Sequence, residues 1–404
     1  MALMKIKLFL SSAFCLVLGA SMSNGQISSK NDDFAAAYRE FKVFYETELK
    51  SAGVVGSSFI FSRDRRILAR EFYGAANLAK NQRTDENTIY HWASNTKPLT
   101  GIAVMQLRDR GLLKLDDPVT KYLPELRTVH NQFGSMDEIT IRHLMTHSAG
   151  FRGSTWPWDK GESWEPFEPT EYSQLVAMFP FTEILFKPGS KFSYSNPGII
   201  FLGKIIEKLS GDDYEVYIDK NILKPLEMYH TYFDATPYHL LKNRSHSYYV
   251  ENGKNTEARF DANTGITVSN SGLNSPLSDM IKYLNFLVGD AAKQNVYDGI
   301  LKRSSLEEMW LPQLKAETDS NGSAGFTTDI GLIFFIDSRV STLHIGHGGD
   351  QNGFISYIDL EPKKKTAVVM VFNSNVILPR GAKAESDPVY RLRIAERKLF
   401  SSVN

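Results

Sequence analysis

Short β-rich segments stand at both ends of this chain, and helical patterns joined by Gly-, Pro- and Asn-rich loops fill the stretch between them. Near the start, residues 57–61 and 67–73 flank a polar turn at Arg63, Asp64 and Arg65, which predicts a hairpin. Near the end, turn residues separate four more such runs, at residues 331–337, 341–347, 353–359 and 366–373. Strands from the two ends can share one sheet only if the chain brings its termini together.

The predicted fold class is therefore α/β, of the α+β kind. We expect an antiparallel sheet built from about residues 54–75 and 326–375, flanked by helices, with a mostly helical lobe over about residues 91–325. Apolar residues from Phe34 to Leu49 recur at helical spacing and predict one of the flanking helices. A cleft between the sheet and the lobe is the expected place for a functional site.

Composition excludes several classes of protein. Lys plus Arg and Asp plus Glu both number 46, so the chain lacks the net basic charge that typifies nucleic-acid and anionic-membrane binders. After the first residues we find no apolar run of the roughly 20 residues that a membrane span needs. Cys15 is the only cysteine, and a mature chain without it would have no disulfide, thiolate nucleophile or Cys-ligated metal.

The first 25 residues have the pattern of a signal peptide. Lys5 and Lys7 form a positive n-region, residues 8–20 an apolar h-region, and Ser23 and Gly25 a small-x-small cleavage site. Cleavage after Gly25 would leave residues 26–404 as one exported domain. We expect a secreted or periplasmic protein.

The segment around Ser94 predicts a reactive serine. Residues 99–107 are apolar on most sides, which indicates a buried helix, and Pro98 is tolerated only in its first turn. Ser94 should therefore lie at the helix N-terminus, where the helix dipole favours a developing negative charge. Lys97, three residues on, lies on the same face and could act as the base if burial keeps it neutral. A lone Ser-x-x-Lys pattern arises readily by chance, so it needs support from elsewhere in the chain.

Tyr194 and Asn196 form a second candidate element, just before the helical pattern of residues 199–209. Two residues apart in an extended segment, they would point to the same side. Alternatively, Asn196 only caps the helix, with Pro197 at its first position.

His347, Gly348 and Gly349 form the third element, at the end of a predicted strand. Paired glycines there permit a ligand to approach the backbone closely, but they also occur in plain hairpin turns.

In order and spacing, these three motifs resemble those of class C β-lactamases and penicillin-binding proteins. The same family includes D-alanyl-D-alanine carboxypeptidases, D-aminopeptidases and β-lactamase-fold esterases. Residues 111–119 and 139–150 are similar to further stretches of the family. The resemblance covers most of the mature chain and implies a β-lactamase/transpeptidase-like fold.

The resemblance also implies a serine hydrolase. Ser94 would attack a carbonyl, Lys97 and Tyr194 would share its proton, and water would then hydrolyse the acyl-enzyme. Which of Lys97 and Tyr194 is the principal base stays open. The implied partner is a small-molecule ester, amide or peptide, and neither a metal nor another cofactor is implied.

Substrate-binding roles follow from the same resemblance. Asn196 would hold the substrate or Lys97, and His347, Gly348 and Gly349 would line the substrate site. The backbone N–H groups of Ser94 and Asp350 would bind the oxyanion.

The third motif departs from the family pattern. β-Lactamases and carboxypeptidases of this fold usually carry Lys-Thr-Gly where this chain has His347-Gly348-Gly349, and that Lys and Thr help bind the substrate carboxylate. We therefore expect esterase- or peptidase-like activity with weak or no β-lactam hydrolysis. The alternatives are a true β-lactamase or D-Ala-D-Ala carboxypeptidase and, from another class, a non-catalytic protein that binds cell-wall fragments or β-lactams.

Two further features invite other interpretations. His143 and His147 have the spacing of two zinc ligands on one helix face, but a third ligand and the Glu of H-E-x-x-H are missing, so we expect a helix-end packing role. The long loop of residues 152–172 could line an acyl pocket or simply be anchored by its three tryptophans, Trp156, Trp158 and Trp164.

Overall fold

The largest sheet joins strands from both ends of the chain. The structure is a computed structural model that describes residues 24–154, 169–258, 264–316, 326–338 and 342–403, with side chains from residue 33 onward. Within these ranges the strands are β1 (Gly56–Arg63), β2 (Arg66–Asn77), β3 (Gln82–Arg83), β4 (Ile89–His91), β5 (Tyr232–Phe233), β6 (Tyr248–Glu251), β7 (Lys254–Glu257), β8 (Leu273–Pro276), β9 (Leu314–Lys315), β10 (Asp329–Ile330), β11 (Phe335–Asp337), β12 (His344–Gln351), β13 (Phe354–Glu361), β14 (Thr366–Phe372) and β15 (Ser374–Val376).

Nine of these strands form the sheet, in the order β3-β2-β1-β14-β13-β12-β11-β10-β9. The first long strand, β1, pairs antiparallel with the last long strand, β14, so that Phe59 lies opposite Met370. The prediction that the two ends of the chain share one antiparallel sheet is confirmed. The predicted hairpin is also present, and its turn residues Asp64 and Arg65 have φ of +45° and +69°, as a tight turn between twisted strands requires.

Helices cover both faces of the sheet. The α-helices in the described ranges are α1 (Asn24–Ser51), α2 (Lys97–Asp109), α3 (Val119–Tyr122), α4 (Ile141–Met145), α5 (Tyr172–Ala177), α6 (Asn196–Ser210), α7 (Tyr214–Ile218), α8 (Val268–Ser271), α9 (Leu277–Val288), α10 (Gln294–Ile300), α11 (Arg303–Glu308) and α12 (Pro388–Ser402). Two small three-stranded sheets, β15-β6-β7 and β4-β8-β5, were not predicted from the helical patterns. The first joins β15, from near the C-terminal end, to two strands from the middle of the chain.

The strand β14 shows how the sheet separates two cores. Val369 and Val371 pack into the large core shared with the helical lobe, whereas Val368 and Met370 pack into a smaller core under α1 and α12. Because successive side chains point to opposite faces, a strand covered on both sides reads as a continuous apolar run. All seven residues of β14 are accordingly buried.

The first flanking helix is longer than its apolar pattern indicated. It begins at Asn24, ten residues before Phe34, and runs to Ser51. Residues 1–23, which hold most of the predicted signal peptide, lie outside the described residues, so that prediction stays a prediction. Among the described helices, none is long and apolar enough to cross a membrane.

Candidate active site

Ser94 lies in a tight turn that leads directly into the buried helix α2. The turn is a 3-10 helix over Ala93–Thr96, and the α-helix follows from Lys97. The prediction that Ser94 lies at the helix N-terminus therefore holds, with a 3-10 turn as the first turn. Ala93 has φ of +47°, a conformation that residues other than glycine seldom adopt and that clusters at functional sites.

Lys97 is buried directly beside the serine hydroxyl. Its Nζ lies 2.8 Å from Ser94 Oγ and donates a hydrogen bond to the backbone carbonyl of Asn270 at 2.9 Å. Burial lowers the pKa of the Lys97 ammonium well below its usual value, because a charge without water around it is costly. A neutral amine has a lone pair, which is what a base for the Ser94 proton needs.

Tyr194 completes the group around Ser94. Burial raises the pKa of its phenol, while a hydrogen bond with Ser94 acts in the opposite direction and lowers it. Its ring also lies over Lys97, with Nζ 4.9 Å from the ring centroid. The structure thus brings together the three residues that the sequence nominated as catalytic.

The strand β12 lies directly against the Ser94 turn, and Gly349 is the residue that permits this. A Cβ added at Gly349 would lie 2.2 Å from the carbonyl oxygen of Trp92 and 3.1 Å from the backbone nitrogen of Ser94. Both atoms are backbone, so neither can move aside, and only glycine fits. A Cβ at Gly348 would instead meet the ring of Tyr357 at 2.9 Å, on the opposite face of the strand.

A hydrogen-bonded clamp adds to this contact. Asn95 Nδ2 donates to Ser356 Oγ at 2.8 Å, and Ser356 Oγ donates to the carbonyl oxygen of Trp92 at 2.9 Å. Ser356 belongs to β13, the strand next to β12. The sheet and the Ser94 turn are therefore held in one rigid geometry.

His347 is buried beside Tyr194, with 4% of its surface exposed. Its Nδ1 lies 2.6 Å from the carbonyl oxygen of Gly348 and must be the donor, since a carbonyl can only accept. Burial lowers the pKa of the His347 imidazole to about 3. The side chain that replaces the family's lysine is thus a neutral imidazole.

Asn196 does not have the cap role that the sequence offered as an alternative. Ser195, not Asn196, caps α6 by accepting a hydrogen bond from the N–H of Gly198 at 3.3 Å, so the capping alternative for Asn196 was wrong. The suggestion that Asn196 holds Lys97 is also wrong, because the Lys97 hydrogen bonds go to Ser94 and Asn270.

The predicted role of Asn196 in holding the substrate stays a prediction. Its buried Oδ1 has no hydrogen-bond partner among the described residues. Asp350 follows Gly349 on β12, and its exposed carboxylate accepts from Asn375 Nδ2 at 2.9 Å. The predicted role of its backbone N–H as an oxyanion donor stays a prediction.

His147 is a site residue whose role the sequence patterns did not reveal. Its ring stacks on the ring of Tyr194, with centroids 4.5 Å apart. The helix α4 ends at Met145 and His147 has φ of +51°. The prediction that His143 and His147 share one helix face is therefore wrong. Among the described residues no group of three or more His, Cys, Asp or Glu is placed to hold a metal ion. The tryptophans of the 152–172 loop lie at residues 155–168, outside the described residues.

The chain belongs to the Beta-lactamase family, whose family model matches residues 39–387. Protein flp of Staphylococcus aureus (strain COL) is 26% identical over 340 residues, which are 83% of this chain and 63% of that protein. This chain therefore spans less than two thirds of the length of that curated relative. Esterase EstB of Burkholderia gladioli is 31% identical over 206 residues, 48% of this chain and 51% of the esterase.

Solved structures of the same fold include an octameric penicillin-binding protein homologue from Pyrococcus abyssi. That structure has a TM-score of 0.72 and 26% identity, and the match covers 89% of this chain and 79% of the homologue. A class C β-lactamase has a TM-score of 0.68 at 21% identity, with 96% of this chain and 99% of that one covered, and shows likeness of fold. The predicted resemblance of the chain to this family is confirmed.

Proposed function

We propose that this protein is a serine hydrolase that works through an acyl-enzyme at Ser94. The observation that carries the proposal is the placement of a buried lysine nitrogen 2.8 Å from the serine hydroxyl. A serine hydroxyl is a weak nucleophile until a neighbouring base takes its proton, and a desolvated lysine can do so near neutral pH.

The pKa shifts of the two groups favour Lys97 over Tyr194 as the base. Burial lowers the pKa of Lys97, which favours the free amine, and raises that of Tyr194, which favours the protonated phenol. Ser94 Oγ then bonds to the substrate carbonyl carbon while its proton passes to Lys97 Nζ. The C–O or C–N bond to the leaving group then breaks, and Tyr194, hydrogen-bonded to Ser94, donates its proton to the leaving alcohol or amine and takes up the proton held by Lys97. Water cleaves the ester bond of the acyl-enzyme by the reverse transfers and frees Ser94.

The oxyanion of the tetrahedral intermediate needs two donors. The N–H of Ser94 lies next to Gly349, and Asp350 provides the next N–H along β12. Backbone donors held by the sheet and by the clamp of Asn95 and Ser356 need little reorganisation during the reaction, which is how such sites stabilise charge.

The proposed substrates are esters or amides whose acyl part carries no carboxylate. The neutral, buried His347 offers no cation where the family usually has lysine, and Gly348 offers no hydroxyl where it has threonine. The relative from Burkholderia gladioli, which bears the name esterase, is consistent with this choice.

The test measures turnover of p-nitrophenyl butyrate and of a chromogenic cephalosporin by the wild-type protein and by Ser94→Ala, in the presence of EDTA. We expect the wild-type protein to hydrolyse the ester at a rate that EDTA leaves unchanged and to hydrolyse little cephalosporin. Ser94→Ala should keep only a trace of the ester hydrolysis. Efficient cephalosporin hydrolysis would instead identify a β-lactamase. A stable acyl adduct without turnover would identify a binding protein. Activity that Ser94→Ala retains would refute the serine mechanism.

We also propose that the protein is secreted or periplasmic, on the pattern of its first 25 residues. Expression of the full chain in a Gram-negative host, followed by fractionation and N-terminal sequencing, tests this. A periplasmic product that starts near Gln26 is expected, and a cytoplasmic product that keeps Met1 would contradict the proposal.

A further inference from the structure

His147 contacts three successive residues of the segment that carries Tyr194. Its backbone carbonyl accepts a hydrogen bond from the N–H of Ser193 at 2.8 Å. Its Nδ1 accepts from the N–H of Ser195 at 3.1 Å. Its ring stacks on Tyr194 itself, at 4.5 Å between centroids and 25° between planes. One residue thus fixes the backbone on both sides of Tyr194 and the ring in between.

The turn that carries His147 is itself held firmly. His147 has φ of +51°, which turns the chain away from α4 and toward the Tyr194 segment. On either side, the hydroxyls of Thr146 and Ser148 share a hydrogen bond of 2.8 Å, and the N–H of Ser148 bonds to the carbonyl of His143 at 2.9 Å. A residue held on both sides in this way can define the position of another.

The protonation of His147 suits an acceptor. Burial lowers the pKa of the His147 imidazole well below its usual value. The neutral ring must then carry its one proton on Nε2, because Nδ1 accepts from Ser195. A neutral ring adds no positive charge beside Lys97, so it can support Tyr194 without disturbing the free amine.

We propose that His147 is a positioning residue that sets where the Tyr194 hydroxyl lies relative to Ser94 and Lys97. The inference rests on the proposed serine mechanism, in which Tyr194 relays the proton. Misplacement of a reacting group by about 1 Å can cost roughly 100-fold in rate. The hydrogen bond to Ser195 is the main element, because it fixes the backbone from which Tyr194 projects.

Three substitutions separate the acceptor from the ring. His147→Asn keeps an acceptor oxygen near the place of Nδ1, and asparagine tolerates a positive φ. His147→Phe keeps an aromatic ring but has no acceptor, and His147→Leu has neither. In His147→Phe and His147→Leu we expect kcat for p-nitrophenyl butyrate to fall about 10- to 100-fold, with KM nearly unchanged. In His147→Asn we expect kcat to stay within about fivefold of the wild-type value.

The matched control is His143→Leu, four residues earlier. His143 Nδ1 also accepts a backbone N–H, that of Thr140 at 3.2 Å, but this bond belongs to the cap of α4. Its loss should lower the thermal midpoint and leave kcat per folded molecule at the wild-type value. If the Leu variant of His147 does not fold, the comparison of Asn with Phe decides alone, and a Phe variant with wild-type kcat overturns the proposal.

A double-mutant cycle with Tyr194→Phe tests whether His147 acts through Tyr194. In the Tyr194→Phe background, His147→Phe should lower the residual rate less than about twofold, since the group it positions is gone. Full additivity of the two losses would overturn the proposal. The outcome is separate from that of the serine mechanism, because Ser94→Ala can abolish turnover whether or not the His147 variants change kcat.

Discussion

Each face of the sheet holds a basic side chain, Lys97 fully buried and Arg397 largely buried, and their surroundings differ. On the lobe face, Lys97 has a serine and a backbone carbonyl as its hydrogen-bond partners, and burial alone lowers its pKa. On the face under α12, Arg397 lies 2.8 Å from the carboxylate of Asp359 and 3.7 Å from that of Asp337. An ammonium buried without a carboxylate becomes a neutral base, whereas a paired guanidinium remains charged and serves the fold.

The largest expected effect comes from replacing Lys97, the basic residue on the lobe face. Lys97→Met should lower kcat/KM for an ester by about 10³-fold, because it removes the base. Lys97→Arg should not restore activity, since a guanidinium keeps its proton. Steady-state kinetics on both variants, with folding checked by circular dichroism, measures this. A Lys97→Arg enzyme with near-wild-type kcat/KM would show that a positive charge, and not a free amine, is needed.

The contact between β12 and the Ser94 turn should be nearly as sensitive. Gly349→Ala would place a Cβ 2.2 Å from the Trp92 carbonyl, so the strand must retreat from Ser94 and kcat/KM should fall about 100-fold. Gly348→Ala, whose Cβ would face the ring of Tyr357, should cost much less activity. Equal losses in the two variants would mean that the strand as a whole, and not its Ser94 face, is affected.

Removing the ion pair on the α12 face should lower the stability of the fold and leave the catalytic rate unchanged. Asp359 binds both Arg397 and His344, the latter with Nδ1 3.0 Å from Oδ1, and Asp359→Asn would leave a largely buried guanidinium without its closest counter-charge. We expect the free energy of unfolding in urea to fall by about 3 kcal/mol. The kcat per active site, from titration of Ser94 with a fluorophosphonate, should stay within about twofold of wild type. Lost kcat at unchanged stability would contradict the separation of the two faces.

The smallest effect is a pH dependence on the α12 face. Burial, with a further contribution from the charge of Asp359, raises the pKa of the Glu396 carboxyl to about 8. The folded state then binds more protons than the unfolded state between about pH 5 and 8, so this group lowers stability as the pH rises through that window. Glu396→Gln should therefore gain on the order of 1 kcal/mol relative to wild type between pH 6 and pH 7. If the free energy of unfolding in urea changed equally with pH in wild type and in Glu396→Gln, the prediction would be wrong.

Local spacing explains what could be predicted of the site. Ser94 and Lys97 are three residues apart on one helical start, so their contact follows from the helix itself. Gly349 could be nominated because a glycine in a strand segment signals a close approach of another backbone, although its partner could not be named. The predicted strand end was wrong, because β12 continues through Gly349 to Gln351.

Contacts between distant loops explain what could not be predicted. His147 meets Tyr194 across 47 residues of sequence, and no pattern in either segment indicates the stack. The carbonyl of Asn270 that holds Lys97 is a backbone atom, which any residue type would supply. The two small sheets were missed because strands of two to four residues are too short for alternation to be visible.

The most direct test of the central claim is the pH dependence of kcat/KM for p-nitrophenyl butyrate. The free enzyme's base must be unprotonated, so the acidic limb of the profile reports its pKa. If Lys97 is the neutral base, that limb lies well below the usual lysine value of about 10.4, activity is retained at neutral pH, and the limb is absent from the residual activity of Lys97→Met. A limb near 10, or one that Lys97→Met leaves in place, would contradict the account.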